Sequence, residues 1–127
     1  HDVISAVEKR ATEMHREFGL PGKSYVSPRI TQLYHTGVCI YFTHGFSTRG
    51  VENPDRAFAA IEHAMRETIM ANGGSISHHH GIGRMFAPWM EPHLGREQLA
   101  ALRALKRHFD PHNIMNPGGT LSLDPAE

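Results

Sequence analysis

The apolar rhythm of the chain predicts three helices and a small sheet. Ile4, Val7, Ala11, Met14 and Phe18 recur at helical spacing, with Asp2 placed to cap that helix and Gly19 and Pro21 to stop it. Phe58, Ile61, Met65 and Ile69 make a second stripe, opened by Asn53 with Pro54 at the first helical position and closed by Asn72-Gly73-Gly74. A third helix is expected near residues 96–108, with Leu99, Leu102 and Leu105 buried and Asp110-Pro111 as its break. Residues 21–28 read as a turn-rich linker, followed by two β-prone runs near 29–34 and 37–46. In the second run Val38, Ile40 and Phe42 share one face, and Cys39, Tyr41 and Thr43 share the other. Helices would cover the first face, so Tyr41 would point toward whatever the sheet encloses. A short strand is expected over residues 75–77, and residues 113–119 read as a loop. This order predicts an α+β fold: a small antiparallel sheet with helices on one face, arranged like a split βαβ, ferredoxin-like unit.

Composition changes this picture in one respect. The 127 residues suit one domain, and 13 basic against 13 acidic residues leave no excess charge for a sequence-independent grip on nucleic acid. The excess lies in histidine, with 11 residues. A single cysteine, Cys39, excludes an internal disulfide and reads as buried filler, since no activating base accompanies it. No apolar run approaches a membrane span, and no signal peptide is visible. The chain starts at His1 and enters a helical pattern at once, as a piece of a longer polypeptide would.

The histidines concentrate in Gly73-Gly74-Ser75-Ile76-Ser77-His78-His79-His80-Gly81-Ile82-Gly83-Arg84. In an extended segment His78 and His80 would face one way and His79 the other. Glycines on both sides let the backbone turn or pass close to a bulky group. Three chemistries suit the cluster. Adjacent residues cannot easily converge on one ion and no HExxH or paired-cysteine spacing is present, so a metal would need His35 or His44 from the neighbouring strand. Paired imidazoles can share protons as acid/base groups. With Arg84 and the glycines they could instead hold a phosphate. The plain alternative is a solvated loop. Tyr41 has a plain alternative too, a packed ring with its hydroxyl at the sheet edge. Arg29 and Arg49 read, by themselves, as surface charges, and Phe86 and Trp89 as packing. No P-loop or dinucleotide fingerprint occurs, because Gly81 and Gly83 do not open a βαβ unit.

Arg29-Ile30-Thr31-Gln32-Leu33-Tyr34, Thr36-Gly37-Val38-Cys39-Ile40-Tyr41-Phe42, the glycine-framed histidine run, Trp89 and Asp110-Pro111-His112-Asn113-Ile114 together resemble the alkyldihydroxyacetonephosphate synthase family. That family belongs to the vanillyl-alcohol oxidase group of FAD-dependent flavoproteins, and the likeness covers nearly the whole chain. It implies that residues 1–127 are a C-terminal cap or substrate domain, with the FAD-binding domain lying outside the sequence. It implies exchange of an acyl group on dihydroxyacetone phosphate for a long-chain alcohol in ether lipid synthesis, through a flavin–substrate adduct. Tyr41 stands at the family's acid/base tyrosine, and His78, His79 and His80 at a segment required for activity. His80, Gly81 and Asn116 are then expected near the cofactor, FAD, and Arg29 and Arg84 near the substrate, with no metal assigned. The implied partners are a small or lipid-like substrate, the absent FAD-binding domain and a second copy in a homodimer, with no nucleic acid. The implied location is cytoplasmic, membrane-associated in a bacterium, or peroxisomal in a eukaryote.

Two features depart from the synthase pattern. The residues after Gly83 lack a basic stretch, and Asn116-Pro117-Gly118-Gly119 is more similar to bacterial FAD-linked oxidases acting on D-lactate or D-2-hydroxyglutarate. His79 stands where those oxidases carry a glutamate, and His35 where the synthases commonly carry an acid. A FAD-linked oxidase of a 2-hydroxy acid is therefore the alternative, and a His-rich metal-binding or assembly module the third reading. Without the flavin domain, the chain is expected to hold little FAD and to be inactive.

Overall fold

The computed structural model describes residues 2–119 and Leu121. They form α1 (Asp2–Glu17), β1 (Tyr25–Leu33), β2 (Val38–Gly45), α2 (Pro54–Ala71), one 3-10 turn (Ala87–Trp89), α3 (Met90–Leu94) and α4 (Arg96–Phe109). This is an α+β arrangement with a two-stranded antiparallel sheet, as expected. The chain divides into two compact units, the first ending at Gly74 and the second beginning at Ser75.

In the first unit α1 buries Val7, Ala11 and Met14 from the expected stripe, and adds His15. Asp2 lies in the first turn of the helix and not before it, where its carboxylate still opposes the positive end of the helix dipole. Phe18 leaves the stripe because the helix has ended. Gly19, at φ +59°, sends its N–H to the Arg16 carbonyl (3.0 Å), and Leu20 sends its own to the His15 carbonyl (3.1 Å). Those two bonds close the helix through a left-handed glycine and fold Leu20 back under it, where it is buried.

α2 begins as its sequence dictates. Asn53 accepts the Arg56 N–H at 3.1 Å, and Pro54 takes a position whose N–H would have no intrahelical partner. The face it buries is Ala57, Ile61, Ala64 and Met65; the rotation brings small alanines to the contact and leaves Phe58 exposed. Val7, Ala11, Met14 and Leu20 meet Ala57, Ile61, Ala64 and Met65 in one core, with Val26, Phe42 and Phe46 of the hairpin region packed against it. Val7 is wholly excluded from solvent, and burial of a side chain of that size stabilises by about 1.5–3 kcal/mol.

β1 starts at Tyr25, inside the expected linker, because Tyr25, Val26 and Ser27 pair with Gly45, His44 and Thr43. Pairing runs regularly from there to Ile30 opposite Ile40, then slips by one residue, so that Gln32 faces Cys39 and Thr31 is the extra residue of a bulge. The Thr31 hydroxyl lies 3.4 Å from the Cys39 carbonyl oxygen and donates to it.

In the second unit the buried side chains include Trp89, Met90 and Leu99. The strand expected over residues 75–77 does not form; residues 75–84 run through bends and turns with Gly81 and Gly83 at φ +75° and +58°. Left-handed Gly73, at φ +77°, turns the backbone just before residues 75–77, away from the extended path that a strand requires.

Candidate functional site

Residues opposite one another in an antiparallel pair project to the same face. Phe42 and Val26 pack on the helical core, so the face of Pro28, Phe42, Val26 and His44 is the helical one. Arg29 pairs with Tyr41 on the other face, where the alternation of the strand had aimed the phenol. The Arg29 guanidinium carbon lies 5.7 Å from the centre of the Tyr41 ring, within reach of a cation–π contact. A phenol that can give and take a proton therefore stands beside a permanent cation. That pairing suits a substrate carrying a negative charge near the bond that changes.

His78, His79 and His80 lie in the second unit, and all three are exposed. They do not alternate as a strand would. The His78 and His79 Nδ1 atoms are 2.8 Å apart, and the His79 and His80 rings meet edge to face at 4.3 Å. Two facing ring nitrogens at that distance need one proton between them, one donating and one accepting. Partial desolvation, then positive charge on His80 and His78, holds the His79 pKa below the ordinary histidine value. His79 is thus biased toward the neutral imidazole, a form able to accept or pass a proton.

Arg84 is exposed, and its guanidinium donates to the Pro117 carbonyl at 2.8 Å, tying the glycine-rich segment to the tail loop beside Asn116. Gly81 is open: a Cβ added there would meet nothing within 4 Å, so a planar group could approach its backbone. Exposed imidazole and carboxamide groups at His80 and Asn116 supply the donors that the carbonyl edge of a flavin ring would take. Among the described residues, no helix opens on the glycine-rich loop that a pyrophosphate needs. The exposed groups at His80, Gly81 and Asn116 suit contact with a flavin ring.

By its own pattern Asp110 reads as a helix stop, within the Asp110–Ile114 stretch that carries part of the family resemblance. Its carboxylate is buried, pairs with Lys106, and accepts the N–H groups of Ile114 (3.0 Å) and Met115 (2.9 Å). The Lys106 hydrogen bond first, then those two backbone bonds, holds its pKa below the ordinary aspartate value against the opposing effect of burial. Lysine and aspartate four apart at a helix end were the available signal. His44 lies on the helical face of the hairpin. Its ring stacks on Phe58 of α2 with centroids 4.4 Å apart, and its Nε2 is buried without a hydrogen-bond partner among the described residues.

Residues 1–120 match the family model for the C-terminal domain of FAD linked oxidases. The chain belongs to that family. Alkyldihydroxyacetonephosphate synthase of Caenorhabditis elegans is 46% identical over 95 residues, 75% of this chain and 16% of that protein. The corresponding synthase of Trypanosoma brucei brucei is 33% identical over 122 residues, 96% of this chain and 19% of that protein. Glycolate oxidase subunit GlcD of Bacillus subtilis (strain 168) is 42% identical over 74 residues, 58% of this chain and 15% of that protein. The chain thus spans less than a fifth of the length of these relatives.

Proposed function

We propose that the chain supplies the substrate-facing part of a flavoenzyme similar to alkyldihydroxyacetonephosphate synthase. The observation that carries this reading is the Tyr41–Arg29 pair on the sheet face turned away from the helical core, in a chain whose likeness to the synthases extends over 96% of its length. Tyr41 moves the substrate proton, while Arg29 holds the phosphate of an acyl-dihydroxyacetone phosphate. His78, His79 and His80 relay protons beside the ring, and His80, Gly81 and Asn116 contact it. Arg84 braces the tail loop that carries Asn116. FAD, when bound, supplies an electrophilic ring against which the substrate can react; its phosphates lie on a separate domain. Exposed Leu33 and Val38 on the hairpin, and Leu105 and Phe109 on α4, offer apolar surface for such a domain to cover.

In the flavin-loaded enzyme, Tyr41→Phe should remove turnover while leaving the flavin spectrum and FAD content intact. Turnover within a few-fold of the parent enzyme would show that the phenol does not move the proton. A second reading, a FAD-linked oxidase of a 2-hydroxy acid, is supported by the likeness to the glycolate oxidase subunit. The same Arg29 would then hold a carboxylate.

A further inference from the structure

The loop after α4 is built to an unusual specification. Asn113 and Asn116 both adopt left-handed backbone, at φ +50° and +52°, and Gly118 follows at +66°. Asparagine is the side-chain-bearing residue that most readily adopts such backbone, and two of them with a glycine make a tightly turned path. Asp110 organises its first half. One carboxylate oxygen takes the Ile114 N–H, and the other takes the Met115 N–H and the Lys106 ammonium. Lys106 continues to the Met115 carbonyl at 2.6 Å, and the Asp110 carbonyl receives the Asn113 N–H at 3.0 Å. Downstream, the Gly119 N–H bonds the Asn116 carbonyl at 3.1 Å, while Arg84 holds the Pro117 carbonyl at 2.8 Å. Gly119 is buried, and a Cβ added there would collide with the Asn116 carboxamide, which folds across it. The segment therefore holds the backbone on both sides of Asn116, with the carboxamide lying against Gly119.

We propose that Asp110 is a positioning residue for the flavin site: with Lys106 and Gly119 it sets the tail loop so that the Asn116 carboxamide is presented preformed to the flavin ring. The inference rests on the reading of Asn116 as a cofactor contact. A preformed contact binds more tightly because its ordering cost is met in folding. Asn cannot replace Asp110, because its NH₂ would face either the Ile114 N–H or the Met115 N–H and the Lys106 ammonium, donor against donor.

The test uses the flavin-loaded enzyme with Asn116→Ala, Asp110→Asn, Lys106→Met and Gly119→Ala, each measured for FAD dissociation constant and flavin absorption band shape. Hydrogen exchange at Ile114 and Met115 reports loop order separately. The expected result is that Asn116→Ala and Asp110→Asn each weaken FAD about tenfold, the equivalent of one lost hydrogen bond. Their effects should not add in the double variant. Gly119→Ala should shift the flavin band as Asn116→Ala does, with the Ile114 and Met115 amides still protected. If Asp110→Asn does not fold, Lys106→Met and Gly119→Ala carry the same comparison. Loss of amide protection in Asp110→Asn or Lys106→Met with FAD affinity unchanged would overturn the positioning role and leave Asn116 as a contact. Unchanged FAD affinity in Asn116→Ala would instead overturn the reading of Asn116, and the inference with it.

Discussion

His44 and Tyr41 lie three residues apart on β2, yet strand alternation gives them opposite surroundings. Tyr41 shares its face with Arg29, whereas His44 stacks on Phe58 with α2 beneath it. Burial is the main cause of the lowered His44 pKa; the Glu62 carboxylate opposes that shift and the Arg66 guanidinium adds to it. The sign for stability follows. Between the lowered native pKa and the ordinary value of 6.5, the unfolded chain binds more protons at His44 than the folded one. The contribution is complete above 6.5 and is lost as the pH falls through that window. His79 shifts in the same direction but is exposed, so solvent screens its effect. Denaturant unfolding of the chain at several pH values should show stability rising with pH across the window, and His44→Phe, which keeps a stacking ring, should flatten the rise. An identical slope in the variant would assign the dependence to other groups.

Tyr41 was legible because a β-strand has a strict period of two, so a single apolar face fixes the direction of every other side chain. The histidines were legible as a cluster but not as a geometry. Their alternation presupposed an extended backbone, and left-handed Gly81 and Gly83 follow a bent one. Asp110 was not legible, because Asp-Pro after an apolar stripe signals a helix stop whether or not the carboxylate is buried. Only the positions of Ile114 and Met115 reveal the carboxylate's role, and those depend on the path of the loop.

At the scale of elements, helix ends were read more securely than helix faces. Asn53-Pro54, Asn72 and Gly19 act through local backbone chemistry and lie where the sequence placed them. Faces depend on what comes to lie against them. α4 shows this: its expected stripe is Leu99, Leu102 and Leu105, but Leu99 is 2% exposed, Leu102 38% and Leu105 56%. Leu99→Ala should therefore cost about 2–5 kcal/mol, and Leu105→Ala less than about 0.5 kcal/mol, measured by denaturant unfolding of the chain. A large loss at Leu105 would mean that its side of the helix is covered in solution. On α2 Ile61 and Met65 are buried and Ile69 packs against the core as expected, whereas Phe58 is exposed. Alanines 57 and 64 face α1, because close packing against Val7, Ala11 and Met14 favours small side chains, and Phe58 turns toward His44 instead.

At the scale of the molecule, the chain is a FAD linked oxidase C-terminal domain of two compact units. The sheet unit carries the phenol and its arginine; the second unit carries the histidines and the clamped tail loop. The α+β class followed from the order of periodic segments. The division at Gly74 did not, because a helix that ends in Gly-Gly has the same pattern whether the chain continues into the same unit or starts another. Membership of the family leaves two activities in contention, alkyl exchange and hydroxy-acid oxidation, which differ in whether electrons stay on the flavin. The direct measurement is anaerobic mixing of the flavin-loaded enzyme with acyl-dihydroxyacetone phosphate and a long-chain alcohol, and separately with glycolate and D-lactate. The account predicts alkyl product with the oxidised flavin absorbance restored at the end of turnover, and no bleaching by either acid. Lasting bleaching by a hydroxy acid, with no alkyl product from the first mixture, would contradict it.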